Sequence, residues 1–140
     1  MMHSKRDWIV SGLASLALLF GIADVTHAQR QAKQAEVKPF RIYAITFRGM
    51  TDVEKGFKEH FAARKIPVDI TFRDLNRDSS RLPEFIQEIR ATRPDLVYTW
   101  GTSVTLGIVG PHDAADRSAY ITDIPVIFTL VAAPVLAKLV

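Results

Sequence analysis

The sequence predicts an α/β fold built on a doubly wound open parallel sheet. Short runs of β-branched and aromatic residues alternate with runs of helical period, and turn-prone residues separate them in the order β-α-β-α-β-α-β. The composition, 48% hydrophobic and 24% charged with 7 Gly and 7 Pro, is that of an ordinary globular protein rather than a disordered, collagen-like or coiled-coil chain. Strands that alternate with helices imply parallel pairing through right-handed crossovers, which puts helices on both faces of the sheet.

The first strand is the run from Phe40 to Phe47, FRIYAITF, closed by Arg48-Gly49. Thr51 then stands three residues before Glu54, the spacing of a capping box. Val53, Phe57 and Phe61 recur every four residues, so a helix is predicted to about Arg64. Its polar face, with Glu54, Lys55, Lys58 and Glu59, reads as the solvated side of an amphipathic helix. Pro67 opens a second strand in which Val68, Ile70 and Phe72 alternate with Asp69, Thr71 and Arg73, and Asn76 to Ser80 is the loop that follows.

Leu82, Phe85, Ile86 and Ile89 fit a second helix, with Pro83 tolerated in the first turn and Pro94 closing the segment. Asp95 to Trp100 is the third strand. Gly101-Thr102-Ser103 leads into a short apolar helix that runs through Gly107 to Val109, and Ile124 to Leu130 is the fourth strand. An apolar tail, Val131 to Val140, follows.

The amino terminus reads as an address. Lys5 and Arg6 precede an apolar run from Ile9 to Ala23, and Thr26-His27-Ala28 places a small residue before a cleavage point. Spanning a bilayer takes about 20 predominantly apolar residues. This run is shorter and is interrupted by Gly12 and Gly21, so a signal peptide over residues 1–28 is preferred to a retained membrane helix. A polar leader over 29–38 precedes a single lobe over 39–140, and the mature chain is expected to be periplasmic or secreted.

Several chemistries are excluded. With no Cys there is neither a disulfide framework nor a thiolate metal site, and a net charge of +3 with interleaved signs does not point to nucleic acid. No GxGxxG, GxxxxGK[ST] or GxSxG motif occurs. The four histidines, at 3, 27, 60 and 112, lack metal-ligand spacing. His60 reads as a helix-surface residue and His112-Asp113 as a loop pair, so no cofactor, metal or catalytic residue is expected.

What remains is chemistry for binding. In open α/β sheets ligands sit beyond the carboxyl ends of the strands, here Arg48–Thr51, Asn76–Ser80, Gly101–Ser103 and Val131–Pro134. Thr102 and Ser103 offer hydroxyl and backbone N–H groups at a helix start, suited to the carboxylate of a small anion or zwitterion, although capping alone also accounts for them. Arg48 can add a cation or stay solvated. Trp100 and Tyr98 can stack on an aromatic ligand, but inward packing is the favoured reading.

The stretches RIYAITFRGMTDVEKGFKEHF, RPDLVYTWGTSVT and IPVIFTLVAAPVLAKLV together resemble the substrate-binding proteins of ABC transporters, in the tryptophan/tyrosine-type branch. The resemblance covers Phe40 to Val140. It rests most on Asp95–Thr102, an aspartate before a hydrophobic strand that ends in Gly-Thr, and on the Ile-Pro-Val-Ile-Phe strand at 124–128. It implies a type I periplasmic-binding-protein fold, in which two α/β lobes joined by a hinge close on a small ligand such as an aromatic or hydrophobic amino acid. An ABC permease and its ATPase are the implied partners of the intact system.

Carried onto this chain, the resemblance assigns ligand contacts to Arg48, Gly49 and Thr51, to Gly101, Thr102 and Ser103, and to Val131 and Ala133. Ala133-Pro134-Val135 departs from the family's Asp-Pro-Val and takes a polar side chain out of that loop. Relatives are more than twice as long as the mature chain, so the lobe is expected to be incomplete, with the second lobe and hinge outside it. Weak or no ligand binding and poor solubility are expected of the chain alone. The alternatives are a small secreted α/β enzyme using Ser103 or Asp95 with His112, a structural or regulatory domain without a small ligand, and a non-functional truncated product.

Overall fold

The computed structural model describes residues 38–140; the predicted signal peptide and almost all of the polar leader lie outside them. The elements are β1 (Phe40–Thr46), α1 (Asp52–Ala63), β2 (Val68–Asp74), a 3-10 turn (Ser79–Arg81), α2 (Leu82–Thr92), β3 (Leu96–Trp100), α3 (Thr102–Val109) and β4 (Val126–Thr129). All four strands pair in parallel in the order β2-β1-β3-β4. Among the described residues no helix is long and apolar enough to cross a membrane.

Strand alternation distributes the core between the two faces. Tyr43, Ile45 and Val97 point to the side covered by α2 and α3, where they pack with Phe85, Ile86, Ile89, Val104 and Ile108. Ile42, Ala44 and Tyr98 point to the other side, where Phe57 and Phe61 of α1 cover them. Helices therefore lie on both faces, and the sheet is doubly wound. Gly107 lets α3 pass close to α2, since a Cβ there would stand 2.4 Å from the Leu82 Cδ1 atom.

The first helix differs from its prediction by a rotation of about one residue. Val53 is 41% exposed, while Glu54, expected on the solvated face, is 0% exposed. The inward stripe is thus Glu54 with the partly buried Phe57 and Phe61, an i, i+3, i+7 set, and Glu54 turns inward because it accepts from the Tyr98 hydroxyl of the sheet as well as from the Thr51 N–H and hydroxyl at its own helix start. The second helix follows its prediction, with Phe85, Ile86 and Ile89 buried. It ends on Arg93 in the left-handed conformation, and Asp95 then accepts the Arg41 backbone N–H at 2.8 Å.

β4 is shorter than predicted because pairing begins only where the Pro125 carbonyl accepts the Val97 N–H at 2.9 Å. Ile124 instead packs into the core. Past β4 the chain forms a turn in which Leu136 is 86% exposed, and Leu130, Val135 and Val140 are also exposed.

Candidate functional site

The strand order places a topological switch between β1 and β3. From β1 the chain leaves toward the α1 face, and from β3 it leaves toward the α2/α3 face, so the two loops part at the carboxyl end of the sheet, where open α/β sheets form a ligand crevice. Arg48–Thr51 lies on one side of this crevice and Gly101–Ser103 on the other.

The Arg48 guanidinium sits over the Trp100 ring, 5.1 Å from its centroid, and the Phe47 ring lies parallel to Trp100 with centroids 6.4 Å apart. This brings the loop after β1 against the end of β3; Trp100 is also partly buried against the cluster of Ile42, Ala44 and Tyr98, so it packs inward in part. The Trp100 indole N–H is buried and carries no hydrogen-bond partner. Tyr98 does not face the crevice: it is buried against Phe57 and belongs to the core, the inward reading.

Gly101 holds φ +84° and ψ 163°, a region that residues with a Cβ essentially do not occupy. Its N–H donates to the Thr129 carbonyl at 2.8 Å, and its carbonyl accepts from the Thr105 backbone and hydroxyl. No side chain caps α3, and Ser103 is exposed at its first turn. The Thr102 hydroxyl accepts the Ala132 N–H at 3.4 Å, which joins the loop after β3 to the loop after β4, where Val131 and Ala133 are half-buried.

Two of the predicted residues are engaged within the protein. The Gly49 N–H donates to the Asp74 carboxylate at 2.8 Å, and the Asp74 oxygen also accepts from the Thr46 hydroxyl. The Thr51 hydroxyl donates to Glu54 at 2.5 Å and accepts from the Val53 N–H, so it completes a capping box. Asn76 and Arg77, in the loop after β2, both adopt positive φ. That loop follows β2, the edge strand beside β1, as the loop at Val131–Pro134 follows β4, the edge strand beside β3.

Glu54 and Tyr98 are the buried polar pair beneath the crevice. Burial pushes the Glu54 pKa up, but hydrogen bonds from the Thr51 hydroxyl, the Tyr98 hydroxyl and the Thr51 N–H outweigh it and hold it below the usual glutamate range. Burial, then the bond to Glu54, pushes Tyr98 up to about 12. The signs follow from linkage. Glu54 contributes stability that is complete above its ordinary 4.5 and is lost as the pH falls through its lower folded value. Tyr98 contributes stability that is complete below 10.0 and is lost as the pH rises through about 12. Melts recorded from acid to alkali should show the advantage of wild type over Tyr98→Phe shrinking at the alkaline end; a constant difference would contradict the assignment.

Asp95 and Ser103 lie beyond opposite ends of β3, whose 5 residues alone span about 16 Å at the rise of an extended strand. Asp95 is moreover occupied by Arg41. His112 is in the loop after α3, where its N–H donates to the Lys138 carbonyl and its neighbour Asp113 pairs with Lys138 at 2.5 Å. His60 is exposed on α1 beside Arg64. Among the described residues no group of three His, Cys, Asp or Glu could hold a metal ion.

Two cavities open away from the crevice. One of about 290 Å³ meets Arg41, Tyr43, Arg73 and Glu88, but Tyr43 and Arg73 already donate to Glu88. The other, about 350 Å³, lies between α2 and α3 against Leu82, Ile86 and Tyr120. Neither is lined by the loops beyond the strands.

Solved structures share this arrangement. A conserved domain protein from Vibrio cholerae superposes with a TM-score of 0.59 at 19% identity, over 74% of this chain and 34% of its own. The ABC domain in complex with L-tryptophan from Streptococcus pneumonia gives 0.58 at 22%, over 74% and 34%. The described residues have the fold of part of a substrate-binding protein. A ligand-free, open substrate binding protein with adhesive properties from Clostridium difficile gives 0.57 at 20%, over 71% of this chain and 33% of its own. The chain therefore spans about a third of the length of the structures it matches. No family model matches the chain, and no curated protein matches it.

The sequence placed these loops at the strand ends but read Glu54 as solvated and gave Asp74 no part, although the two carboxylates hold Thr51 and Gly49. The capping-box spacing pointed to Glu54 as a cap. Nothing in the spacing showed that its second oxygen would turn inward onto Tyr98.

Proposed function

We propose that this chain is the ligand-facing lobe of an extracytoplasmic solute-binding protein, which in its intact form delivers a small ligand to an ABC permease. The observation that carries the reading is the crevice at the β1/β3 switch, with Trp100 and the Gly101-started helix on one side and Arg48 reaching over Trp100 from the other. An amino acid suits it: the carboxylate would meet the uncapped start of α3 and Arg48, and an apolar side chain would lie on Trp100. The L-tryptophan bound to the similar Streptococcus structure supports that class.

One lobe supplies one face. A ligand held at about 1 μM by two faces has a binding free energy of about −8 kcal/mol, and half of that corresponds to about 1 mM. Saturation-transfer NMR with a panel of L-amino acids at millimolar concentration is the test. Transfer to aromatic or large apolar amino acids that weakens in Ser103→Ala and Arg48→Ala supports the reading. Chemical conversion of any compound, or no transfer to any of them, counts against it.

A further inference from the structure

We propose that Glu54 is a positioning residue that couples the loop after β1 to the loop after β4 through Tyr98 and Thr129, without touching ligand itself. One Glu54 oxygen accepts the Thr51 N–H at 2.8 Å and the Thr51 hydroxyl at 2.5 Å; the other accepts the Tyr98 hydroxyl at 2.5 Å. Tyr98 in turn accepts from the Thr129 hydroxyl at 2.9 Å. Thr51 closes the loop after β1, and Thr129 is the last residue of β4. A continuous hydrogen-bonded chain therefore crosses from α1 through β3 to β4 directly beneath the crevice.

A helix cap has no need of this. A capping box needs only the reciprocal Thr51–Glu54 contacts, and the bond to Tyr98 is additional to it. Here the carboxylate is fully buried, which is unfavourable unless its lone pairs are matched, and a well-packed apolar side chain at 54 would cost the fold less. What a carboxylate does and an apolar group cannot is hold donors from two directions in fixed geometry. Thr129 is the common point. Its hydroxyl leads to Tyr98, Glu54 and Thr51, while its carbonyl accepts the Gly101 N–H at 2.8 Å. The three loops assigned to ligand are thus tied to one residue, and a displacement of one is passed to the others. That these are ligand loops rests on the function proposed above; the coupling between them does not.

Amide hydrogen exchange on the ligand-free full chain tests it. Thr129→Val preserves the β-branched shape at a half-exposed strand end, so folding is retained while the hydroxyl is lost. The Thr51 amide is expected to exchange about fivefold faster in Thr129→Val, although the two residues share no hydrogen bond, and to return to the wild-type rate in Thr129→Ser. Adding Glu54→Gln to Thr129→Val is expected to change the Thr51 rate less than the product of the single effects.

A Thr51 rate within twofold of wild type in Thr129→Val, or independent effects that multiply, would overturn the proposal and leave Glu54 a cap only. If Glu54→Gln fails to fold, the Thr129 variants decide alone. Because exchange is read without ligand, loss of coupling is distinguished from failure of the ligand reading, which appears as absent amino-acid transfer.

Discussion

Phe85→Ala is expected to lower the unfolding free energy by about 3–5 kcal/mol, a large share of what a domain of this size possesses. Phe85 is 1% exposed in the cluster of Tyr43, Ile45, Leu75, Val97 and Ile108, and the Arg81 guanidinium covers its ring at 4.9 Å. One wall of the resulting void is the hydrogen-bonded sheet, which cannot collapse inward, so the cavity persists. For a domain of about a hundred residues the melting temperature should fall by roughly 15–30 °C. Calorimetry or circular dichroism checks it. A drop of only a few degrees would mean that α2 does not pack on the sheet as described.

Gly101→Ala is the second large effect, and it strikes the site rather than the core. No atom lies within 4 Å of the position a Cβ would take, so any loss is conformational and not steric. The φ of +84° with extended ψ costs a residue with a Cβ about 1–3 kcal/mol, and relaxing it pulls the N–H away from the Thr129 carbonyl. Destabilisation of that size with loss of the amino-acid signal is expected. Gly56→Ala is the control. Gly56 sits mid-helix in α1 with ordinary φ and open space, so alanine there should raise stability by about 0.5–1 kcal/mol. Equal effects of the two changes would contradict the account of Gly101.

Much of this was legible in the sequence because period and punctuation are local properties. The alternation of Val68, Ile70 and Phe72 sufficed for β2, and Phe85, Ile86 and Ile89 sufficed for the buried face of α2. The crevice loops were legible because strand ends follow from strand positions. What was not legible depends on partners distant in the chain. Val53 has the hydrophobicity of a core residue and Glu54 the charge of a surface one, yet Tyr98, forty-four residues away, decides which of them turns inward. The capping-box spacing already tied Thr51 to Glu54, and its hydroxyl is engaged there, although the resemblance also assigned Thr51 to ligand. Asp95 resembled a candidate acid, and its place at the amino end of β3 makes it the partner of Arg41 instead.

The central claim is that the carboxyl ends of β1, β3 and β4 form a ligand face. Mapping backbone amide resonances of the chain during titration with L-tryptophan and L-phenylalanine tests it most directly. The account predicts saturable shifts concentrated at Arg48–Thr51, Gly101–Ser103 and Val131–Ala133. Shifts centred instead on the Arg41–Glu88 cavity or on the groove between α2 and α3, or no shifts at millimolar ligand, would contradict it.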